Sequence, residues 1–82
     1  MIRILYFGFL REALGRDEES LDWTGGTSED LLDLLRARGD DWAAALAPDK
    51  VFRVVVDREI KRGVAEIADG AEVGILPPVT GG

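Results

Sequence analysis

One amphipathic stretch in the middle of this chain limits what it can build. Thr27-Ser28-Glu29-Asp30 offers a hydroxyl followed three residues later by a carboxylate, a pair able to answer the orphan amides of a helix start. Leu31, Leu34 and Leu35 follow at i, i+3 and i+4, Arg36 and Arg38 fall where the helix dipole favours cations, and Gly39 comes next as a C-terminal stop. The pattern predicts a helix from about Thr27 to Arg38 with one apolar stripe. A single stripe must be covered, and the segments on both sides of it have the composition of strands.

Ile2 to Leu10 is rich in β-branched and aromatic residues and partly alternates, which predicts a first strand. Leu10-Arg11-Glu12-Ala13-Leu14-Gly15 predicts a short helical turn that stops at glycine. Glu19 to Thr24 alternates with Leu21 and Trp23 on one face and is near enough to the first strand to pair with it antiparallel. Beyond the helix, Asp40 to Ala47 predicts a second, alanine-rich helix with an aspartate cap, a Trp42/Leu46 pair four residues apart, and an end at Pro48.

Val51 to Val56 predicts a third strand with Phe52, Val54 and Val56 on one face, and Asp57-Arg58-Glu59 a turn before Ile60. Gly63 to Ile67 is ambiguous. Ala68-Asp69-Gly70 reads as a turn, and Ala71 to Leu76 as a last strand with Val73 and Ile75 sharing a face. Strands at both ends and helices between them imply an α+β domain, a mixed sheet of four or five strands with helices on one face. This order is compatible with a β-grasp, with the first and last strands side by side and parallel at the sheet centre.

Eighty-two residues, 46% of them hydrophobic, suffice for one core, so residues 1–82 are expected to form a single domain. Without cysteine or histidine, any chemistry has to use carboxylates, amines, hydroxyls or a chain end. A net charge of −6 argues against a nucleic-acid ligand and for a basic protein surface, and also serves solubility. No apolar run reaches the length of a membrane span and no leader pattern precedes Ile2, so a cytoplasmic address without membrane attachment is expected. Gly8 and Gly25-Gly26 fit no phosphate-binding pattern and are read as turns. Phe7, Phe9, Trp23 and Trp42 belong to a core or a protein interface, because no basic stripe accompanies them for stacking bases.

The last eight residues, Ile75-Leu76-Pro77-Pro78-Val79-Thr80-Gly81-Gly82, read as a strand handed over to an extended tail. Proline sets φ and cannot donate to a sheet, so Pro77-Pro78 predicts a stop and a polyproline-type spacer that leads into a flexible, extended C-terminal tail over residues 77–82. Gly81 and Gly82 have no Cβ and can enter a channel too narrow for other residues.

Together, Ile2-Arg3-Ile4-Leu5-Tyr6-Phe7, Arg11-Glu12-x-Leu14-Gly15, Trp42-x-x-x-Leu46, Asp69-Gly70-x-Glu72-Val73 and the ending Pro77-Pro78-Val79-Thr80-Gly81-Gly82 resemble the small, sulfur-carrying subunit of molybdopterin synthase. The resemblance spans nearly the whole chain, and its most specific part is the ending. It implies a ubiquitin-like β-grasp. It also implies that a separate ubiquitin-activating-like adenylyltransferase uses ATP to activate the Gly82 carboxylate, which becomes a thiocarboxylate.

The large synthase subunit would then take up the tail and pass the sulfur to a pterin precursor. The chain would bind no cofactor or metal itself and would not be catalytic alone. The resemblance assigns Phe7, Arg11, Ile60 and Leu76 to the partner interface and threads Pro77, Pro78, Val79, Thr80 and Gly81 into the partner. Core packing is the other reading of Phe7 and Ile60. Where the family commonly has aromatic residues before the two prolines, this chain has Gly74-Ile75-Leu76. The same tail would also suit a ubiquitin-like modifier joined to lysine through Gly82, or a sulfur carrier for thiamine or cysteine biosynthesis. An interaction domain without chemistry gives no reason for the terminal glycine pair.

Overall fold

The computed structural model describes residues 1–47, 53–61 and 63–77. Its elements in chain order are β1 (Ile2–Tyr6), α1 (Phe9–Leu14), β2 (Glu18–Leu21), β3 (Gly26–Thr27), α2 (Ser28–Arg36), α3 (Asp40–Ala45), β4 (Arg53–Val56), β5 (Glu59–Lys61), β6 (Glu66–Ile67) and β7 (Glu72–Leu76). Among the described residues the strands form a five-stranded sheet in the order β2-β1-β7-β4-β5 and a two-stranded pair of β3 with β6. β1 lies parallel to β7, with Ile4 opposite Val73, and every other pairing is antiparallel. The α+β β-grasp with its terminal strands adjacent and parallel is therefore present.

Alternation explains the core. Ile2, Ile4 and Tyr6 of β1, Val73 and Ile75 of β7, and Val54 and Val56 of β4 point inward, where Leu10 and Leu14 of α1 and Leu31, Leu32 and Leu35 of α2 cover them. The capping box on α2 forms as the sequence predicts: Asp30 N–H donates to Thr27 Oγ1 at 3.2 Å and Thr27 N–H donates to Asp30 Oδ2 at 3.0 Å. At the first residue of α2, Ser28 is buried, and its Oγ accepts from Ala65 N–H at 3.0 Å, which ties the approach to β6 onto the start of the helix.

Several expectations are corrected. The apolar stripe of α2 is Leu31, Leu32 and Leu35, while Leu34 is 41% exposed. At about 100° per residue, Ser28, Leu31, Leu32 and Leu35 fill one arc of about 100°, and Leu34 lies about 60° outside it. The first strand ends at Tyr6 rather than Leu10, because the chain turns at Gly8 and commits Leu10 and Leu14 to the buried side of α1. The second strand is shorter than predicted and starts one residue earlier.

Helix α2 stops at Arg36, with Ala37 as its cap, so Arg38 lies beyond the helix and Gly39 precedes α3. Asp40 and Asp41 sit in the first turn of α3 without a side-chain capping bond, where the helix dipole still favours them. Val51, Phe52 and Pro48 lie outside the described residues. The Asp57-Arg58 turn closes a two-residue hairpin between β4 and β5, with both residues at positive φ as a type I′ turn requires.

Candidate functional site

With the described helices packed on one face of the sheet, the other face is left to its own side chains. Residues that alternate with the core residues define it: Leu5 on β1, Glu72, Gly74 and Leu76 on β7, and Val55 on β4, with Phe7 just past the end of β1. These, together with Arg58, line a mostly apolar groove of about 230 Å³. Ile60 stands opposite Val55 in the β4–β5 register, on the same face, and is 62% exposed. Phe7 is 42% exposed. Neither side chain belongs to the buried core, although more than half of Phe7 is covered by this chain.

The groove owes its shape to Gly74. A Cβ on Gly74 would meet Phe7 Cε2 at 3.0 Å and Val55 Cβ at 3.6 Å, so the missing side chain lets the Phe7 ring settle across β7. An aromatic side chain lying over a strand glycine covers backbone that the glycine would otherwise leave bare. In this chain the aromatic cover of the last strand thus comes from the residue just past β1, although Gly74-Ile75-Leu76 contains no aromatic residue itself.

Leu76 is half-buried at the end of β7 and pairs with Arg53 of β4. Beyond it, Pro77 packs against Gly8. Arg11 is exposed on α1, and its side chain makes no hydrogen bond or ion pair among the described residues. Pro78, Val79, Thr80, Gly81 and Gly82 lie outside the described residues. The structure therefore places Phe7, Leu76 and Pro77 together at one end of the groove and Ile60 on the neighbouring strand, with Arg11 on the helix that follows Gly8. Sequence reasoning missed Leu5, Val55, Arg58, Gly8 and Gly74. A glycine inside a strand pattern often marks a close approach, and that was the available signal for Gly74.

A polar cluster lies elsewhere, where the C-terminal end of α2 meets β1, β2 and α3. Tyr6 Oη donates to Glu19 Oε2 at 2.8 Å, and Arg38 grips both carboxylate oxygens at 2.7 and 2.8 Å. The Arg38 guanidinium also lies 4.6 Å from the Trp42 ring centre, and Trp42 meets Tyr6 edge-on at 5.9 Å.

Burial alone would raise the Glu19 carboxyl. Hydrogen bonds from Arg38 and Tyr6 and the charges of Arg38 and Arg16 outweigh it and hold the group below the usual carboxylate range. Burial, and then the bond to Glu19, pushes the Tyr6 hydroxyl far up, so it stays a donor. These groups saturate one another, which suits a clasp rather than a reaction centre. Among the described residues no three metal-ligating side chains converge, and no helix is long and apolar enough to cross a membrane.

The fold and this face define a ubiquitin-like β-grasp domain that leads its last strand past an apolar groove into a C-terminal segment. The chain matches the ThiS family over residues 4–82 and belongs to it. It is 33% identical to the molybdopterin synthase sulfur carrier subunit of Haemophilus influenzae and 35% identical to that of Escherichia coli K12, in each case over the whole of both chains. Its fold is similar to the solution structure of small archaeal modifier protein 1 from Methanosarcina acetivorans, at a TM-score of 0.73 and 25% identity, covering 99% of this chain and 95% of that one.

Proposed function

We propose that this chain is a sulfur carrier acting as the small subunit of a molybdopterin synthase. The observation that carries the reading is the end-to-end similarity to two proteins of that name. The structure supports it by setting an apolar face beside the point where β7 gives way to Pro77.

In the proposed cycle a Gly82 carboxylate oxygen attacks the α-phosphorus of ATP on an adenylyltransferase, and pyrophosphate leaves. A sulfide-level donor attacks the acyl carbon, AMP leaves, and a thiocarboxylate remains. It is anionic at neutral pH, and its sulfur is a soft nucleophile. The groove side chains and Phe7, Ile60 and Leu76 dock on the large subunit while residues 77–82 enter it. The sulfur attacks a carbon of the pterin precursor and displaces an oxygen leaving group from it, and water then hydrolyses the resulting thioester at the Gly82 acyl carbon, leaving the sulfur on the pterin as a thiolate and restoring the carboxylate. Arg11 contributes a cation at the rim of the contact.

A second reading, a protein modifier joined to lysine through Gly82, draws on the likeness to the archaeal modifier. Both start from the same activated glycine and part at the acceptor. Intact-protein mass spectrometry after incubation with the adenylyltransferase, ATP and a sulfide donor should show the mass difference between sulfur and oxygen, located in the C-terminal peptide. Pterin conversion by the loaded chain with the large subunit supports the carrier. Lysine-linked conjugates without pterin conversion support the modifier.

A further inference from the structure

The open face of the sheet is not charged as the whole chain is. Alternation and register put Arg3, Glu18, Glu72 and Arg53 on it, and Arg58 of the β4–β5 turn lines its groove. Glu18 accepts from Arg3 Nε at 2.9 Å, and Glu72 is the neighbour of Arg3 in the β1–β7 register. Two more carboxylates beside the turn are engaged elsewhere. Glu59 accepts from Lys61 Nζ at 3.0 Å, and Asp57 Oδ1 accepts from Glu72 N–H at 3.0 Å. Arg53 and Arg58 are exposed, and their side chains make no hydrogen bond or ion pair among the described residues. A chain of net charge −6 thus presents unanswered guanidinium groups on the face where its apolar groove opens.

Arg58 holds its place against the preference of its own turn. It is the second residue of the type I′ turn, at a φ of 71°, where glycine is favoured because a Cβ crowds the backbone. Turn stability alone gives no reason for an arginine there. The turn is also fastened to the start of β7 from both directions: Asp57 N–H donates to Glu72 O at 2.9 Å, and the Asp57 carboxylate takes the Glu72 N–H. Backbone strain that its surroundings hold fixed is a pointer to function. Here it sets a planar fork of donors beside an apolar groove, and the matching group for that fork is a carboxylate. Arg53 stands at the other end of β4, opposite Leu76.

We infer that this face recognises an acidic rim: the large subunit presents carboxylate side chains to Arg58 and Arg53 around an apolar centre that fills the groove. The inference rests on the carrier reading and names the chemistry the partner brings to the same surface. It reverses, for this face, the expectation that an acidic chain meets a basic surface. Rim charges of this kind set the speed and orientation of approach more than the final affinity, and they reject partners of like charge.

The test measures association and dissociation rates of the full chain with the large subunit at low and at high salt. Arg58→Gln keeps a long polar side chain and removes the charge. At about 0.05 M salt it should weaken binding about two- to fivefold, mostly through slower association, and Arg58→Glu should weaken it at least about tenfold. Both deficits should shrink at about 0.5 M salt, where surface charges are largely screened. Arg58→Gly separates recognition from folding: it should keep or raise the urea midpoint, because glycine suits the turn, and still bind as weakly as Arg58→Gln. Arg16→Gln makes the same charge change beside Trp42, away from the groove, and should bind like the unaltered chain.

Unchanged or tighter binding by Arg58→Gln at low salt would overturn the inference. So would an equal loss in Arg16→Gln, which would trace the effect to net charge, or a deficit undiminished at high salt, which would trace it to lost packing. Failure of the unaltered chain to bind the large subunit would remove the carrier reading and this inference with it. Binding by the unaltered chain together with an insensitive Arg58 removes the inference alone.

Discussion

Replacing Phe7 and Ile60 separately by alanine should divide the apolar face into the part that holds the fold and the part that awaits a partner. A phenylalanine carries about 200 Å² of surface. Phe7 is 42% exposed, so more than half of that, roughly 115 Å², is already covered by this chain. Scaling the ~1.5 to 3 kcal/mol of a fully buried side chain, the covered part contributes ~1 to 1.7 kcal/mol to stability and the exposed part leaves ~0.6 to 1.3 kcal/mol for docking.

Ile60 is 62% exposed, which reverses the division. Scaling the ~1.5 to 3 kcal/mol of a fully buried side chain gives ~0.5 to 1 kcal/mol for folding and ~1 to 2 for docking. These are upper values, since alanine keeps one methyl group. Urea denaturation should therefore show Phe7→Ala as the more destabilised of the two. Calorimetric titration against the large synthase subunit should show Ile60→Ala weakened by about 5- to 30-fold. Equal destabilisation by the two substitutions would refute the partition. An unchanged affinity for folded Ile60→Ala would remove β5 from the contact.

Three further outcomes follow from the geometry. The Glu19 carboxyl is held below its ordinary 4.5, so its contribution is present above that pH and is lost as pH falls through the lower folded value. Melting temperatures should drop as pH falls below about 4.5, and Glu19→Gln, already less stable at pH 7, should drop less; an identical acid slope in the variant would deny Glu19 that role. Thr27→Ala removes one half of the capping box and should cost about 0.5 to 2 kcal/mol, seen as a lower urea midpoint at unchanged slope. Deleting Gly82 or introducing Gly81→Ile should abolish sulfur loading by mass spectrometry while moving stability by less than about 0.5 kcal/mol. Loading of the deleted chain would end the carrier reading.

How far the molecule was legible in its sequence depended on the range of the interaction. The Thr27/Asp30 box, the stop at Gly15, the turn at Asp69-Gly70 and the inward pair Val73 and Ile75 are relations between residues a few positions apart, and local propensity and periodicity are enough to specify them. The β-grasp layout was within reach too, since strands at both ends of a short chain around one amphipathic helix leave few unknotted arrangements.

Periodicity says which residues of an element share a face. It does not say what lies against that face. Only the tertiary structure decided that Leu32 rather than Leu34 meets the sheet, that Phe7 covers Gly74 while Ile60 stays open, and that Tyr6, Glu19, Arg38 and Trp42 close into one clasp. The same holds for Gly8 and Pro77, nearly seventy positions apart in sequence and in contact across the end of β1. Such contacts exist because packing brings distant backbones to van der Waals distance, and nothing in the residues on either side of Gly8 records which ring will arrive there.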